Sequence, residues 1–230
     1  MHMRAPPSEL PPAMTVAEFL AWAGDGTGRK FQLVDGELRA MSPGSATHGT
    51  IQMTLGALIR ETLVEAGGRC RVVGEPGVIT RVRSQVNMRV PDLGISCTPD
   101  AAGQQALPDP IVLIEILSPG NTRETWENVW SYTTIPSVRE IAVVHSPRVL
   151  VEMLRRGTDG HWPEGPEEVG PDGSLRLESI GFACRLAGGL RSDIPRLIAL
   201  PMLDSRTAQL ERGKPRRRRL SAASLPASTP

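Results

Sequence analysis

Two acids are set into apolar runs of this chain: Asp92 in Arg89-Val90-Pro91-Asp92-Leu93, and Glu115 in Ile111-Val112-Leu113-Ile114-Glu115-Ile116-Leu117. An ionised carboxylate in a dry core is costly unless it is paired, protonated or bound to a cation. Two of them on neighbouring strands, with a main-chain carbonyl beside them, make an all-oxygen site suited to Mg²⁺ or Mn²⁺. Such an ion orients a phosphate, lowers the pKa of an attacking water and stabilises developing charge, which is the chemistry of a metal-dependent phosphodiesterase. The lysine that often accompanies such a site is missing, since the only lysines are Lys30 and Lys214. Simpler roles stay open: a strand-end turn for Asp92, and for Glu115 a buried structural pair with an arginine such as Arg89.

The elements that must position these acids are legible from patterning. Thr15-Val16-Ala17-Glu18 is a capping box ahead of a short helix through Trp22. Gly24 to Gly28 form a turn without the Gly-Lys-Ser/Thr of a P-loop. Phe31–Val34 and Glu37–Met41 read as a hairpin about Asp35-Gly36. A helix is expected from Thr47 to Ala66, with Ile51, Leu55, Leu58, Ile59, Leu63 and Val64 on one face and Gly67-Gly68 closing it. Three strands should follow, over Arg69–Gly74, Gly77–Val82 and Val86–Cys97, the third carrying Asp92. Ile111–Leu117 is nearly continuous in apolar residues, as in a central strand buried on both faces. Asn121 or Thr122 can cap a helix from Glu124 to Thr133; Val138–Val144 and Val149–Leu154 make a hairpin, and a last strand runs over Ser174–Glu178. This order predicts a mixed α/β domain, a central mixed sheet flanked by helices.

The 230 residues suit one domain with tails. Residues 1–13 are proline-rich and read as disordered, residues 14–182 as the domain, and residues 183–230 as an irregular, basic, disordered tail. Between Ser205 and Pro230, seven basic residues face one acid, so that stretch carries +6 and residues 1–204 are left with −5 of the chain's net +1. A body of that sign is no general nucleic-acid glue, although the run Arg216–Arg219 could serve as a salt-sensitive phosphate-binding arm. Cys70, Cys97 and Cys184 lack metal or redox spacing and read as small core residues of a reducing compartment. With no signal segment and no run of about 20 apolar residues, a cytoplasmic protein without membrane contact is expected.

The order hairpin, helix, Pro-Asp strand, Glu-Ile-Leu-Ser-Pro strand, helix, strand resembles the Uma-type restriction endonuclease family of the PD-(D/E)XK nuclease superfamily. The segments that carry the resemblance are Gln32–Glu37, the Ser42–His48 loop, Val90–Leu93, Val112–Pro119 and Glu124–Tyr132. It implies a restriction-endonuclease-like core in which Asp92 and Glu115 hold one or two Mg²⁺ (or Mn²⁺) ions, with the Ile116 carbonyl as a further ligand. The superfamily lysine would stand at Leu117, or in Uma-type members four residues before Tyr132, where this chain has Asn128. Glu124, Asn128 and Tyr132 lie at i, i+4 and i+8, on one helix face that can look toward the metal strand. Gln32 stands where the family favours a glutamate in the first hairpin. His48, at the head of the long helix, can act as a base or phosphate contact, or simply be solvated. Glu75 can project toward the same cleft. Trp126 and Trp130 pack as core or stack a frayed base, the first being the usual fate of tryptophans at i and i+4. The resemblance implies a DNA substrate and a homodimer that cuts both strands. Two further readings stay open: a pseudo-nuclease that binds without turnover, since Asn128 brings no charge, and a regulatory module whose acids are structural.

Overall fold

The computed structural model describes residues 13–187 and the backbone of a strand at Arg196–Ala199. The expectations of disorder over residues 1–12 and of a phosphate-binding arm at Arg216–Arg219 lie outside the described residues.

The first elements form as their local chemistry dictates. Helix α1, Val16–Ala21, starts at Thr15, whose hydroxyl accepts from the Glu18 amide while the Glu18 carboxylate accepts from the Thr15 amide. Strands β1 (Phe31–Val34) and β2 (Glu37–Ala40) pair antiparallel about Asp35 and Gly36. Both turn residues have positive φ, 52° and 88°, the backbone of a two-residue turn that Asp-Gly tolerates. Helix α2, Ala46–Glu65, is capped by Ser45, whose hydroxyl accepts from the His48 amide at 3.1 Å. It buries Ile51, Leu55, Ile59 and Leu63, while Val64, expected on that face, is exposed.

The main sheet has six strands: β3 (Arg71–Gly74), β6 (Leu93–Ser96), β7 (Pro110–Leu117), β8 (Glu140–His145), β9 (Val151–Arg155) and β10 (Glu167–Val169), in the order β10-β9-β8-β7-β6-β3. β7 runs parallel to β8 and antiparallel to β6, with helix α3 (Thr122–Tyr132) in the crossover between β7 and β8. Side chains alternate across these strands. Val112, Ile114 and Ile116 meet α2 in one core, and Leu113 and Leu117 meet Val129 and Tyr132 of α3 in another. Glu115 therefore faces α3. Two smaller sheets complete the domain. One has the order β2-β1-β5-β4, with β4 Val78–Ile79 and β5 Met88–Arg89; the other is β11 (Ser174–Leu177), β12 (Phe182–Ala187) and β13 (Arg196–Ala199).

Four expectations are corrected. The single strand expected over Val86–Cys97 is two, β5 in the small sheet and β6 in the large one, parted at Val90-Pro91-Asp92. Proline has no N–H for a ladder, so the chain leaves one sheet there and enters the other. Residues 183–187, expected in the tail, continue strand β12, and Cys184 and Leu186 are buried in the first core. Asn121 precedes α3 without capping it, its side-chain oxygen accepting instead from the Ser118 amide at 2.8 Å.

The fourth concerns the cysteines. Cys70 and Cys97 are joined by a disulfide, one residue beyond the Arg71–Ser96 pair that closes the β3–β6 ladder, and so are cross-strand neighbours rather than core thiols. Cys184 is the buried free thiol, and burial pushes its pKa up to about 12. Thiolate is the reactive species, so the oxidised native protein should give no thiol signal with a disulfide reagent at neutral pH. Unfolding without reductant should expose one thiol, and with reductant all three cysteines. Three thiols without reduction would mean that the Cys70–Cys97 bond does not form.

Candidate active site

Where β5 gives way to β6, Asp92 is held from four directions. Its carbonyl accepts from Gln52 Nε2 of α2 at 2.9 Å and from the Glu75 amide at 3.0 Å. Its Oδ2 accepts from the Ile116 amide at 2.6 Å, which ties it to the central strand, and its Oδ1 lies 2.8 Å from His48 Nε2. His48 is held in turn by Ser118 Oγ, 3.4 Å from Nδ1, and Ser118 receives Ser146 Oγ at 3.5 Å. Gly44 lies against the ring: a Cβ there would sit 2.9 Å from His48 Cδ2. The hydrogen bond to Asp92 raises the His48 pKa against the opposing effect of burial, with Asp92 and Glu75 adding charge attraction.

Glu115 is 6% exposed. Its Oε1 accepts from Tyr132 Oη at 2.7 Å and from Asn128 Nδ2 at 3.4 Å, and among the described residues no arginine, lysine or histidine forms an ion pair with it. Burial, then the Asp92 charge, push its pKa well above the ordinary glutamate range against the two hydrogen bonds. Tyr132 is fully buried, and burial followed by the Glu115 charge raises its pKa as well.

The helix face expected from the spacing of Glu124, Asn128 and Tyr132 is used as a unit. Tyr132 and Asn128 reach Glu115, and Glu124 Oε1 accepts from Gln32 Nε2 at 2.9 Å, which brings in the first hairpin. Gln32 is buried, and its Oε1 has no partner among the described residues. The structure thus brings together all six residues singled out from the sequence: Asp92, Glu115 and Ile116 with His48, Asn128 and Gln32. Glu75 is at the edge, its side chain paired with Lys30 and its amide on Asp92. The arginine pair considered for Glu115 does not form directly, because Arg89 Nη1 donates to Asn128 Oδ1 at 3.4 Å instead. Trp126 packs at the core edge, whereas Trp130 is 45% exposed with its ring 5.8 Å from that of Trp126.

Sequence reasoning missed Gln52 and Ser118. Gln52 lies one turn past His48 on the buried side of α2, a position where spacing alone could have flagged a polar residue. A surface cavity of about 660 Å³ lined by Ile79, Thr80, Leu107 and Ile135 contains none of these residues, so chemistry rather than volume marks the site.

A mixed sheet with an acid on its central strand and a second acid at the Pro-Asp junction alongside, flanked by helices, defines a restriction-endonuclease-like, nuclease-like domain. The chain belongs to the Uma2 family, described as "Putative restriction endonuclease", whose profile matches residues 16–187. It is 28% identical over 181 residues to "Uncharacterized protein slr1290" of Synechocystis sp. (strain ATCC 27184 / PCC 6803 / Kazusa), covering 77% of this chain and 91% of that one. Its fold is shared with a 1.96 Å crystal structure from Anabaena variabilis ATCC 29413, described as "a putative nuclease belonging to DUF820". The TM-score is 0.58 at 18% identity, covering 73% of this chain and 90% of the other.

A carboxyl group whose pKa is raised on folding costs stability as pH climbs, because the unfolded chain releases its proton first. With chelator present, the stability of wild type relative to Glu115→Gln should therefore fall as pH rises from the ordinary glutamate value of 4.5 toward the higher native one. By pH 8 the variant should be the more stable by about 2 kcal/mol in denaturant melts. A difference that stays flat with pH would show that Glu115 carries no such burden.

Proposed function

We propose that this protein is a divalent-metal-dependent DNA endonuclease, hydrolysing phosphodiester bonds at Asp92 and Glu115. The observation that carries the reading is Glu115: a buried carboxylate beside a second acid, with no ion pair among the described residues. A bound cation is the remaining way to compensate it in ionised form.

The residues present fit such a cation. Among the described residues no cluster of three or more His, Cys, Asp or Glu side chains is arranged as a ligand set. The donors in this proposal are the two carboxylates, completed by the Ile116 carbonyl and water; Gln32 Oε1, without a partner among the described residues, is a further neutral oxygen, joined to the same helix face through Glu124. Mg²⁺, which keeps several waters and takes one or two carboxylates, suits that set, and Mn²⁺ accepts the same oxygens. Restriction-endonuclease-like proteins generally use divalent metals, and the ion would orient the scissile phosphate and acidify its attacking water.

The chain's own side chains then divide the remaining work. The raised pKa of His48 favours imidazolium, which suits a phosphate contact better than a general base. Asn128 offers an amide hydrogen to Glu115, and Gln32 fixes Glu124 at the mouth of the same helix face. A second copy of the chain, related by two-fold symmetry, would present the same site to the opposite DNA strand. A cytoplasmic location belongs to the same proposal; there the Cys70–Cys97 bond would be reduced, and none of the hydrogen bonds described for the site involves either cysteine.

Asn128 favours one second reading, a pseudo-nuclease that binds metal and DNA without turnover, because an uncharged amide faces Glu115. Incubation with supercoiled plasmid separates the two. With Mg²⁺ or Mn²⁺ the wild type should nick or linearise the plasmid, and Asp92→Ala and Glu115→Ala should each lower the rate by about a hundredfold or more. Metal binding by calorimetry without cleavage would select the pseudo-nuclease. Absence of both metal heat and cleavage would leave the acids as structural groups.

A further inference from the structure

Arg89 turns inward from the two-residue strand β5 and is 8% exposed. Among the described residues it is the one lysine or arginine in the core. A buried guanidinium is normally matched by a carboxylate. Yet none of the ion pairs among the described residues involves Arg89. Its hydrogen bonds go to neutral amides, Nη1 to Asn128 Oδ1 and Nη2 to Asn87 Oδ1, each at 3.4 Å, and its Nε is buried without a partner. After Tyr132, the acids whose charge favours its protonated form are Asp35 and Glu127, and both are paired with arginines of their own, Arg83 at 3.5 Å and Arg39 at 3.1 Å. Burial draws the guanidinium below its ordinary pKa, as expected of a cation short of counter-charge.

The complementary anomaly lies across one side chain. Asn128 Nδ2 donates to Glu115 Oε1 at 3.4 Å, and among the described residues Glu115 is a buried carboxylate that forms no ion pair. Only one orientation of the Asn128 amide serves both neighbours, oxygen toward the guanidinium and nitrogen toward the carboxylate. Both contacts are long for hydrogen bonds, so each is weak alone, and the amide dipole lies between the two groups in that orientation. Direct contact between Arg89 and Glu115 would compensate both charges. Holding them one amide apart instead leaves the carboxylate open to an incoming cation and the guanidinium open to an incoming anion.

We propose that Arg89 is a positioning residue of this site: it fixes Asn128 with its amide nitrogen toward Glu115, and supplies across that amide the positive charge for a phosphate held at the carboxylates. The charge role rests on the phosphodiesterase reading above, whereas the Arg89–Asn128–Glu115 relay stands on geometry alone. A lysine placed at 128 beside Arg89 would put two cations in one buried space, which is unfavourable. Moving the charge from 89 to 128 would not.

Two experiments on the full chain test the two halves separately. In metal-free thermal melts of Arg89→Gln, Asn128→Ala and the double variant, the double shift should fall short of the sum of the single shifts by about 2 °C or more. Additive shifts would overturn the relay. With Mn²⁺ and plasmid, Arg89→Gln should lose about tenfold or more in rate while still binding Mn²⁺ by calorimetry. Adding Asn128→Lys to Arg89→Gln should restore the rate to within about threefold of wild type, whereas Asn128→Lys alone should lower the melting temperature without a gain in rate. A rate loss that the transplanted lysine does not restore would reduce Arg89 to a structural residue. If wild type neither cuts plasmid nor binds Mn²⁺, the charge role falls with the functional reading, and the thermal cycle still decides the relay.

Discussion

A carboxylate inside the strand on which the main sheet is assembled imposes conditions on everything around it. Glu115 shares its face of β7 with Leu113 and Leu117, so whatever covers those leucines also covers an acid. Helix α3 meets both demands by splitting along its length. Val129 and Tyr132 fill the apolar core, and the Tyr132 hydroxyl and Asn128 amide turn hydrogen-bond donors toward Glu115. An all-apolar helix face would leave the carboxylate unsolvated, and a fully charged one could not pack on the leucines. The pair Asn128 and Tyr132 is therefore a packing requirement set by a single residue of the central strand, whereas Glu124, one turn earlier, meets Gln32 of the first hairpin.

The second acid is placed by a different constraint. Pro91 ends the pairing of β5 in the small sheet, and the chain pairs again as β6 in the large one. Asp92 occupies that crossing, where its main chain is free to accept from Gln52 and Glu75 and its carboxylate can reach the Ile116 amide. Two sheets thus converge on one residue that belongs to neither. A regular strand through Asp92 would stand the carboxylate roughly perpendicular to the sheet with no such latitude.

These origins explain what the sequence disclosed. The hairpin about Asp35-Gly36, the stripe of Ile51, Leu55, Ile59 and Leu63, and the run Ile111–Leu117 were legible because each rests on local turn chemistry or periodicity. The helix face of α3 was legible for the same reason. The break of Val86–Cys97 into two strands was missed although Pro91, without an N–H for a ladder, was its local signal; that the second half joins a different sheet shows only in the long-range pairing. The Cys70–Cys97 bond was hidden likewise: its sequence separation of 27 says nothing until β3 and β6 are in register. Gln52 and Ser118 escaped because their partners, the Asp92 carbonyl and the His48 ring, come from other elements. A direct pair with Arg89 was only the simpler alternative left open for Glu115, and it does not form. The intervening Asn128 is a tertiary fact that one-dimensional spacing cannot supply.

Positive charge is set unevenly about the two acids. His48, drawn toward imidazolium by Asp92, lies at one acid, and Arg89 stands one amide beyond the other. With Glu115 driven toward its protonated form, the folded protein can hold the site together without a metal ion. Under the proposed function, a cation binding between the acids must displace that proton, so affinity would rise with pH while the fold stayed intact. An asparagine at 128 suits this arrangement. With Arg89 in place, a second cation at 128 would crowd the same buried space, whereas a neutral amide leaves the fixed positive charge behind it, on Arg89.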